Sequence, residues 1–221
     1  MIDTYSSLHN HSMYSLLDGY STPEEYLERA KEIGLKAFAI TEHGNEYSWC
    51  YFDKRRKALN HLVTLSNLEG FYYKPRIQLS DFEGYGNDLV VSSACLASKL
   101  AREEDYQKCI GYVKEYKKIF PHFFLEMQAH SSPEQAEYNK KILRLANGTS
   151  TPFVITTDSH AAKQEDLYYQ GQLVSIARDN ETASEIYEGC YLQSVEEIHS
   201  VMDSQIGYEN VELGLYNTNL V

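Results

Sequence analysis

The sequence lacks a long apolar segment and an excess of basic residues. Nowhere do 18 apolar residues follow one another, and the first twenty residues contain neither a basic region nor an apolar run, so we expect no transmembrane helix and no signal peptide. The 20 basic residues are outnumbered by 32 acidic ones, which gives a formal charge of −12. This charge argues against broad binding to phosphate backbones. The sequence therefore predicts a cytoplasmic protein, with no membrane partner, whose nucleic-acid contacts are local or mediated by metal.

Paired cysteines and a glycine-rich phosphate loop are also missing. Cys50, Cys95, Cys109 and Cys190 lie far apart and form no C-x-x-C pair. Reduced thiols therefore fit the sequence better than a disulfide framework or a structural zinc knuckle. Because no glycine-rich fingerprint follows the first predicted strand, the sequence does not favour a doubly wound nucleotide-binding sheet.

Predicted helices and strands alternate along the chain. Thr22, Pro23 and Glu25 form the pattern of a capping box with proline in the first turn, which predicts the start of a helix. A buried strand is expected from Lys36 to Thr41. Further strands are expected near residues 89–92, 123–128 and 152–157, and further helices near residues 103–119, 163–177 and 195–202, with another helix starting at residue 132. This order predicts an α/β fold with a parallel sheet, and the chain length favours one barrel domain over residues 1–221.

Histidines and aspartates gather where predicted strands end. His9 and His11 are two residues apart, as are Asp158 and His160, so each pair shares one face of an extended segment. His43 closes another strand. An isolated H-x-H pair is as consistent with two solvated imidazoles as with a metal site, but the D-x-H pair and His43 favour metal. Mixed imidazole and carboxylate ligands suit zinc, manganese or iron, and a cluster of such ions is suited to phosphoryl chemistry.

Six segments resemble the successive motifs of the polymerase and histidinol phosphatase (PHP) domain. In family order, from residue 7 to about 166, they are SLHNHSMYSLLDG, TEHGN, HLVTLSNLEGFYYKPRI, LVVSSACLASKL, FFLEMQAHSSPEQ and ITTDSHAAKQED. The resemblance is strongest to the version at the N-terminus of the bacterial DNA polymerase III α subunit. It implies a distorted, TIM-like (β/α)7 barrel and a phosphoesterase site that holds two to three divalent ions of zinc, manganese or iron.

The resemblance also assigns roles to individual residues. It implies metal ligands at eight positions, His9, His11, Asp18, His43, Cys95, His130, Asp158 and His160, and all of these except Cys95 and His130 are expected to hold the water that attacks phosphorus. Cys95 is either a ligand or a buried thiol. Lys74 and Arg76 either hold a substrate phosphate or form salt bridges, and Glu126 and Gln128 are expected to orient His130.

The sequence departs from the family pattern after TEHGN. The family continues there with a helix, a strand carrying a G-x-E-x-Y motif whose glutamate bridges metals, and another strand, but here residues 50–54 run directly into residues 55–59. Either a segment is omitted near residues 54–55, or the domain is naturally shortened and its metal cluster is incomplete. The chain is either the N-terminal part of a longer polymerase or a small stand-alone protein.

Three functions are compatible with these residues. The first is a metal-dependent phosphoesterase, specifically a proofreading-type 3′–5′ exonuclease that acts on the 3′ end of a DNA primer, with polymerase domains of the same or another chain as partners. The second is a non-catalytic PHP module that braces a replicative polymerase or binds a partner subunit. The third is a small-molecule phosphatase of the histidinol-phosphate type. The eight retained ligand positions favour a catalytic protein.

Overall fold

Five strands and eight helices make up the described part of the chain. The structure is a computed structural model that describes residues 2–45, 57–178 and 188–221. The strands are β1 (Ser6–Ser7), β2 (Ala37–Phe38), β3 (Val90–Ser92), β4 (His122–Gln128) and β5 (Phe153–Thr156). The helices are α1 (Pro23–Glu32), α2 (Lys57–Leu68), α3 (Lys99–Arg102), α4 (Tyr106–Ile119), α5 (Pro133–Thr149), α6 (Leu167–Arg178), α7 (Val195–Ile206) and α8 (Tyr208–Thr218).

Side-chain caps define where helices begin. At the start of α1, the Thr22 side chain accepts a hydrogen bond from the Glu25 backbone N–H at 3.2 Å, and the Glu25 carboxylate accepts one from the Thr22 N–H at 2.7 Å. Ser194 and Glu197 form the same reciprocal pair at the start of α7. Both satisfy backbone donors that a helix end leaves free. The helix starts predicted from these motifs are confirmed.

All strand ladders of the described residues are parallel. The strands β1 and β2 pair with Ser6 opposite Ala37, and β4 lies between β3 and β5, with Val90 opposite His122. A single parallel bridge between Asn10 and Ser159 joins the segments that follow β1 and β5. Parallel strands alternating with helices confirm the predicted mixed α/β class.

The predicted closed seven-stranded barrel is not found in residues 2–45, 57–178 and 188–221. Their ladders form one two-stranded and one three-stranded sheet, and no ladder connects β2 to β3. Within the described residues, the chain between these two strands supplies α2, loops and short 3₁₀ helices instead of strands. The predicted break near residues 54–55, together with Cys50, lies outside the described residues.

The core lies on the side of β4 and β5. Leu125, Met127 and Ile155 are completely buried and pack against α4, α5, α7 and α8. A Cβ atom on Gly214 of α8 would lie only 2.7 Å from the Ile155 side chain, so glycine lets this helix approach β5 closely. The strand β5 is apolar on both faces over residues 153–155, as parallel strands covered by helices usually are, whereas β4 also buries Glu126 and Gln128. The helices therefore hold the C-terminal ends of β4 and β5 in fixed positions.

The side of β2 and β3 is more open. Val90 of β3 is 52% exposed, and β3 borders a cavity of about 330 Å³ whose wall includes Leu62 and Val63 of α2. Phe71 and Tyr73, in the loop after α2, are also exposed. None of the described helices is both long enough and apolar enough to cross a membrane.

Replacing Ile155 by alanine should destabilise the fold by about 2–5 kcal/mol, because it removes buried methyl groups and leaves a cavity under α8. Urea unfolding followed by circular dichroism measures this change. Ile176 of α6 is 76% exposed, so Ile176→Ala is the matched control and should change stability by less than about 0.5 kcal/mol. Equal effects of the two variants would contradict the core assignment.

Candidate metal centre

Backbone pairing brings the H-x-H and D-x-H segments face to face. The His11 N–H donates to the Ser159 carbonyl at 2.7 Å, and the Ser159 N–H donates to the His9 carbonyl at 3.1 Å. Because Ser159 lies between Asp158 and His160, the side chains of both pairs meet beyond the strand ends.

Asn10, the residue between the two histidines, anchors this arrangement to β2. Its side chain is fully buried and donates to the Ala39 carbonyl at 2.7 Å. The Thr41 backbone N–H donates to the Asn10 carbonyl at 2.9 Å. This role was not predicted from the sequence, although a polar residue between two candidate ligands is a recognisable signal.

One group of ligand atoms consists of His9, His11 and Asp158. The two Nε2 atoms are 3.0 Å apart, and they lie 3.1 Å and 3.3 Å from Asp158 Oδ1. This oxygen is buried but has no hydrogen-bond partner among the described residues. A buried carboxylate oxygen normally has a partner, and three converging donor atoms fit a divalent cation. The residues present therefore fit the metal that the sequence predicts.

A second group consists of His11, His43 and His160, whose ligand atoms lie within 4.8 Å of one another. Asp18 Oδ2 is 2.8 Å from His43 Nε2 and 3.2 Å from His160 Nε2. The His43 side chain is 57% exposed, whereas that of His160 is 6% exposed. The centre is therefore buried at Asp158 and open to solvent at His43.

Glu126 of β4 orients His9. Its Oε1 atom is 2.5 Å from His9 Nδ1, and it also accepts hydrogen bonds from Thr156 at 2.7 Å and from Gln128 at 3.3 Å. An Nδ1–H donated to a carboxylate leaves the Nε2 lone pair free for a metal. The expectation that Glu126 and Gln128 orient the His130 side chain needs correction, because the Glu126 side chain contacts His9 and the Gln128 side chain donates to Glu126, while only the Gln128 carbonyl contacts His130, at its backbone N–H.

Burial and the neighbouring charges set the protonation of this group. Burial alone would lower the pKa of His9, but the carboxylates of Asp158 and Glu126 outweigh it and raise that pKa to about 10. Burial lowers the pKa of His11 to about 3, and His160 and His9 contribute to the decrease. Burial opposes ionisation of Asp158, but the nearby histidines hold its pKa well below the usual range. A cation that binds here therefore displaces a proton from His9.

Ser15 and Glu42 support the second group and were missed by the sequence analysis. Ser15 Oγ donates to Glu42 at 2.6 Å and accepts the His43 backbone N–H at 3.0 Å. The same oxygen lies 3.4 Å from His11 Nδ1. The Ser12 N–H also donates to Glu42, at 3.2 Å. The position of Glu42 immediately before His43 in TEHGN is the only sequence signal for this role.

Three of the eight predicted ligands lie outside both groups, and of these only Asp18 contacts a member of one. His130 is buried, and its Nε2 atom is 3.0 Å from the Thr157 carbonyl and 3.4 Å from the Cys190 thiol. Cys95 is half-buried, and burial together with the Asp158 charge raises its pKa. The structure thus brings together His9, His11, Asp18, His43, Asp158 and His160, but not His130 or Cys95.

Lys74 and Arg76 lie on an exposed segment beside the loop of His43. A Cβ atom on Gly44 would lie 3.8 Å from Pro75 Cγ, and the Arg76 guanidinium lies 5.0 Å from the centre of the Tyr72 ring. In the described part of the chain, neither cation forms an ion pair. Their predicted contact with a substrate phosphate stays a prediction.

Comparisons with known proteins agree with the motifs in the sequence. A family profile described as the PHP domain matches residues 7–61 and 52–130. The DNA polymerase III subunit alpha of Aquifex aeolicus is 29% identical over 253 aligned positions, which cover 90% of this chain and 22% of that protein. The Borreliella burgdorferi and Treponema pallidum proteins of the same name are each 27% identical, over 76% and 78% of this chain. The chain spans about a fifth of the length of these curated relatives.

Replacing Glu126 by glutamine should weaken metal binding by about 10- to 100-fold, because the amide is a weaker acceptor for the His9 Nδ1–H. Competition with a chelating dye measures the affinity. Glu137→Gln is the matched control, since the Glu137 side chain on α5 is 74% exposed. Equal affinities of the two variants would show that Glu126 does not support a ligand.

Proposed function

The chain belongs to the PHP domain family, and from this premise we propose that it is a metal-dependent phosphoesterase. The observation that carries the proposal is the buried Asp158 Oδ1 atom, which has no hydrogen-bond partner among the described residues and faces the Nε2 atoms of His9 and His11. A carboxylate oxygen and two imidazole nitrogens that converge in this way are a typical ligand set for a divalent cation.

Six side chains would hold two to three divalent ions, namely His9, His11, Asp18, His43, Asp158 and His160. When bound, zinc, manganese or iron ions lower the pKa of water and offset charge on phosphate oxygens. Glu126 keeps the His9 Nε2 lone pair directed at the centre. His43, at the exposed side, marks where a phosphoester can enter.

The substrate that we propose is DNA, cut from the 3′ end of a primer. The relatives reported above are polymerase subunits, which supports a role beside replication in the cytoplasm, with polymerase domains of the same or another chain as partners. The net charge of −12 disfavours an extended grip on the phosphate backbone. A strand end that meets the centre through cations is compatible with such a surface.

We also propose that residues 1–221 form one PHP domain that lacks a family segment after about residue 54. The two matched ranges of the family profile overlap at residues 52–61, as expected where a match is interrupted. The Aquifex aeolicus alignment has 253 positions, whereas 90% of 221 residues is about 199, so about 54 positions have no counterpart in this chain. This difference supports a missing family segment, whether the segment is omitted from this sequence or the domain is naturally shortened.

The test is removal of nucleotides from the 3′ end of a 5′-labelled primer, in the presence of manganese or zinc. The unmodified protein should produce a ladder of shortened products, and the double variant His9→Ala with His11→Ala should abolish it, because one group of ligand atoms loses two members. His122→Ala is the control, since His122 is exposed on β4.

Each alternative function has its own outcome in this experiment. If the protein hydrolyses small phosphate monoesters but does not shorten DNA, it is a small-molecule phosphatase and not an exonuclease. Metal binding without any hydrolysis would indicate the non-catalytic module. Full activity of the double variant would exclude the proposed centre.

A further inference from the structure

Three tyrosine rings lie together at the start of α6. The side chains of Tyr168 and Tyr169 are exposed, the two residues at 65% and 54%, and their ring centres are 5.4 Å apart at an angle of 79°. The Tyr169 ring also stacks on Tyr20, at 5.7 Å and 19°. Stacking on Tyr20 restricts the Tyr169 ring, although both Tyr168 and Tyr169 remain largely exposed.

This aromatic group is attached to the candidate metal centre. The Tyr20 backbone N–H donates to the His160 carbonyl at 2.8 Å. The Gln170 side chain, one residue beyond Tyr169, donates to the Asp18 carbonyl at 3.0 Å. Two backbone segments that carry predicted ligands therefore also position the tyrosines.

The turn before Asp18 adds apolar surface at the same place. Leu16 and Leu17 are 72% and 55% exposed. Leu17 has a φ of 62°, in the left-handed region that side chains other than glycine rarely adopt. The two leucines directly precede Asp18, whose carbonyl accepts the Gln170 hydrogen bond, so exposed apolar side chains lie on the segment that contacts α6.

The charges near the tyrosines limit which ligand fits. Asp166 lies two residues before Tyr168, and burial together with the carboxylates of Asp166 and Glu25 raises the pKa of Tyr20. Lys163 lies near Asp166 but is outnumbered by these acids and Glu165. Carboxylates repel phosphates, so these acids disfavour a phosphate backbone beside the tyrosines, whereas an uncharged base can stack there.

We propose that Tyr168 and Tyr169, supported by Tyr20, form a stacking platform for the terminal base of a single-stranded nucleic acid. The inference rests on the proposed function, because it places the adjoining phosphate at the candidate metal centre. Stacking of a base on an aromatic side chain needs no particular sequence. The platform therefore selects strand ends over internal positions and tolerates any base.

The test measures binding and does not require turnover. The probe is a 5′-fluorescein-labelled single-stranded oligodeoxynucleotide whose last linkage is a phosphorothioate, and its affinity is measured by anisotropy with manganese present. Tyr168→Ala and Tyr169→Ala should each weaken binding by about 5- to 150-fold. Tyr169→Phe should retain binding, because the ring remains. Tyr216→Ala on α8 is the matched control, since Tyr216 is 52% exposed, and it should bind like the unmodified protein.

A second probe separates stacking from a general structural effect. It is the same oligonucleotide with an abasic last nucleotide, to which the unmodified protein should bind as weakly as Tyr168→Ala binds the first probe. Three results would each overturn the platform. They are an equal loss of affinity for both probes in Tyr168→Ala, an affinity of Tyr168→Ala that equals that of the unmodified protein, and no binding of the first probe by the unmodified protein.

Turnover of bis(p-nitrophenyl) phosphate by the unmodified protein reports separately on hydrolysis. If this ester is not cleaved but the base-dependent loss of binding persists, the proposed hydrolysis fails and the platform stands. If the ester is cleaved and the tyrosine variants bind both oligonucleotides normally, the platform fails and the hydrolysis stands.

Discussion

The burial of the Asp158 carboxylate is the constraint on which the centre depends. Asp158 follows β5 in the left-handed region, with a φ of 46°, and its Oδ1 atom lies among imidazole nitrogens. Removing a carboxylate from water costs free energy unless positive charge or hydrogen bonds compensate. The backbone pairing of Ser159 with the H-x-H segment places His9 and His11 where they can provide that compensation. A bound cation would complete it.

The two sides of the fold hold the candidate centre with different degrees of burial. On one side, β4 and β5 are covered by helices, and Glu126 at the end of β4 reaches His9 from a fully buried position. On the other side, His43 lies beyond the two-residue strand β2 and depends on Ser15 and Glu42 for its position. The rigid side therefore holds the buried ligands, and the more open side holds the ligand that solvent reaches. This division suits the proposed centre, whose charge must be fixed but whose substrate would have to enter.

The sequence predicted local features well, because their causes are local. Capping boxes at Thr22 and Ser194 and the apolar runs of β4 and β5 lie where they were expected. The shared face of residues two apart also anticipated that the H-x-H and D-x-H pairs meet. Closure of the barrel was not predictable in this way, since it depends on strands that the described chain between β2 and β3 does not supply. Likewise, parity along β4 shows which residues share a face with Glu126 but not which loop folds over it, so Glu126 was expected to orient His130, whereas its side chain contacts His9.

The acidic charge of the chain and its exposed tyrosines limit which part of a nucleic acid could bind at the proposed centre. With a net charge of −12, attraction for a polyanion must come from bound cations and from the few basic residues near the centre. Lys74 and Arg76 lie beside the loop of His43, whereas the tyrosines at α6 are attached to the segments of Asp18 and His160. The exposed imidazole of His43 thus has the cations of Lys74 and Arg76 on one neighbouring segment. The uncharged tyrosine rings are attached to the segments of Asp18 and His160. A strand end with one charged phosphate and one neutral base matches this distribution better than a continuous duplex, whose phosphates would meet Asp166 and Glu25.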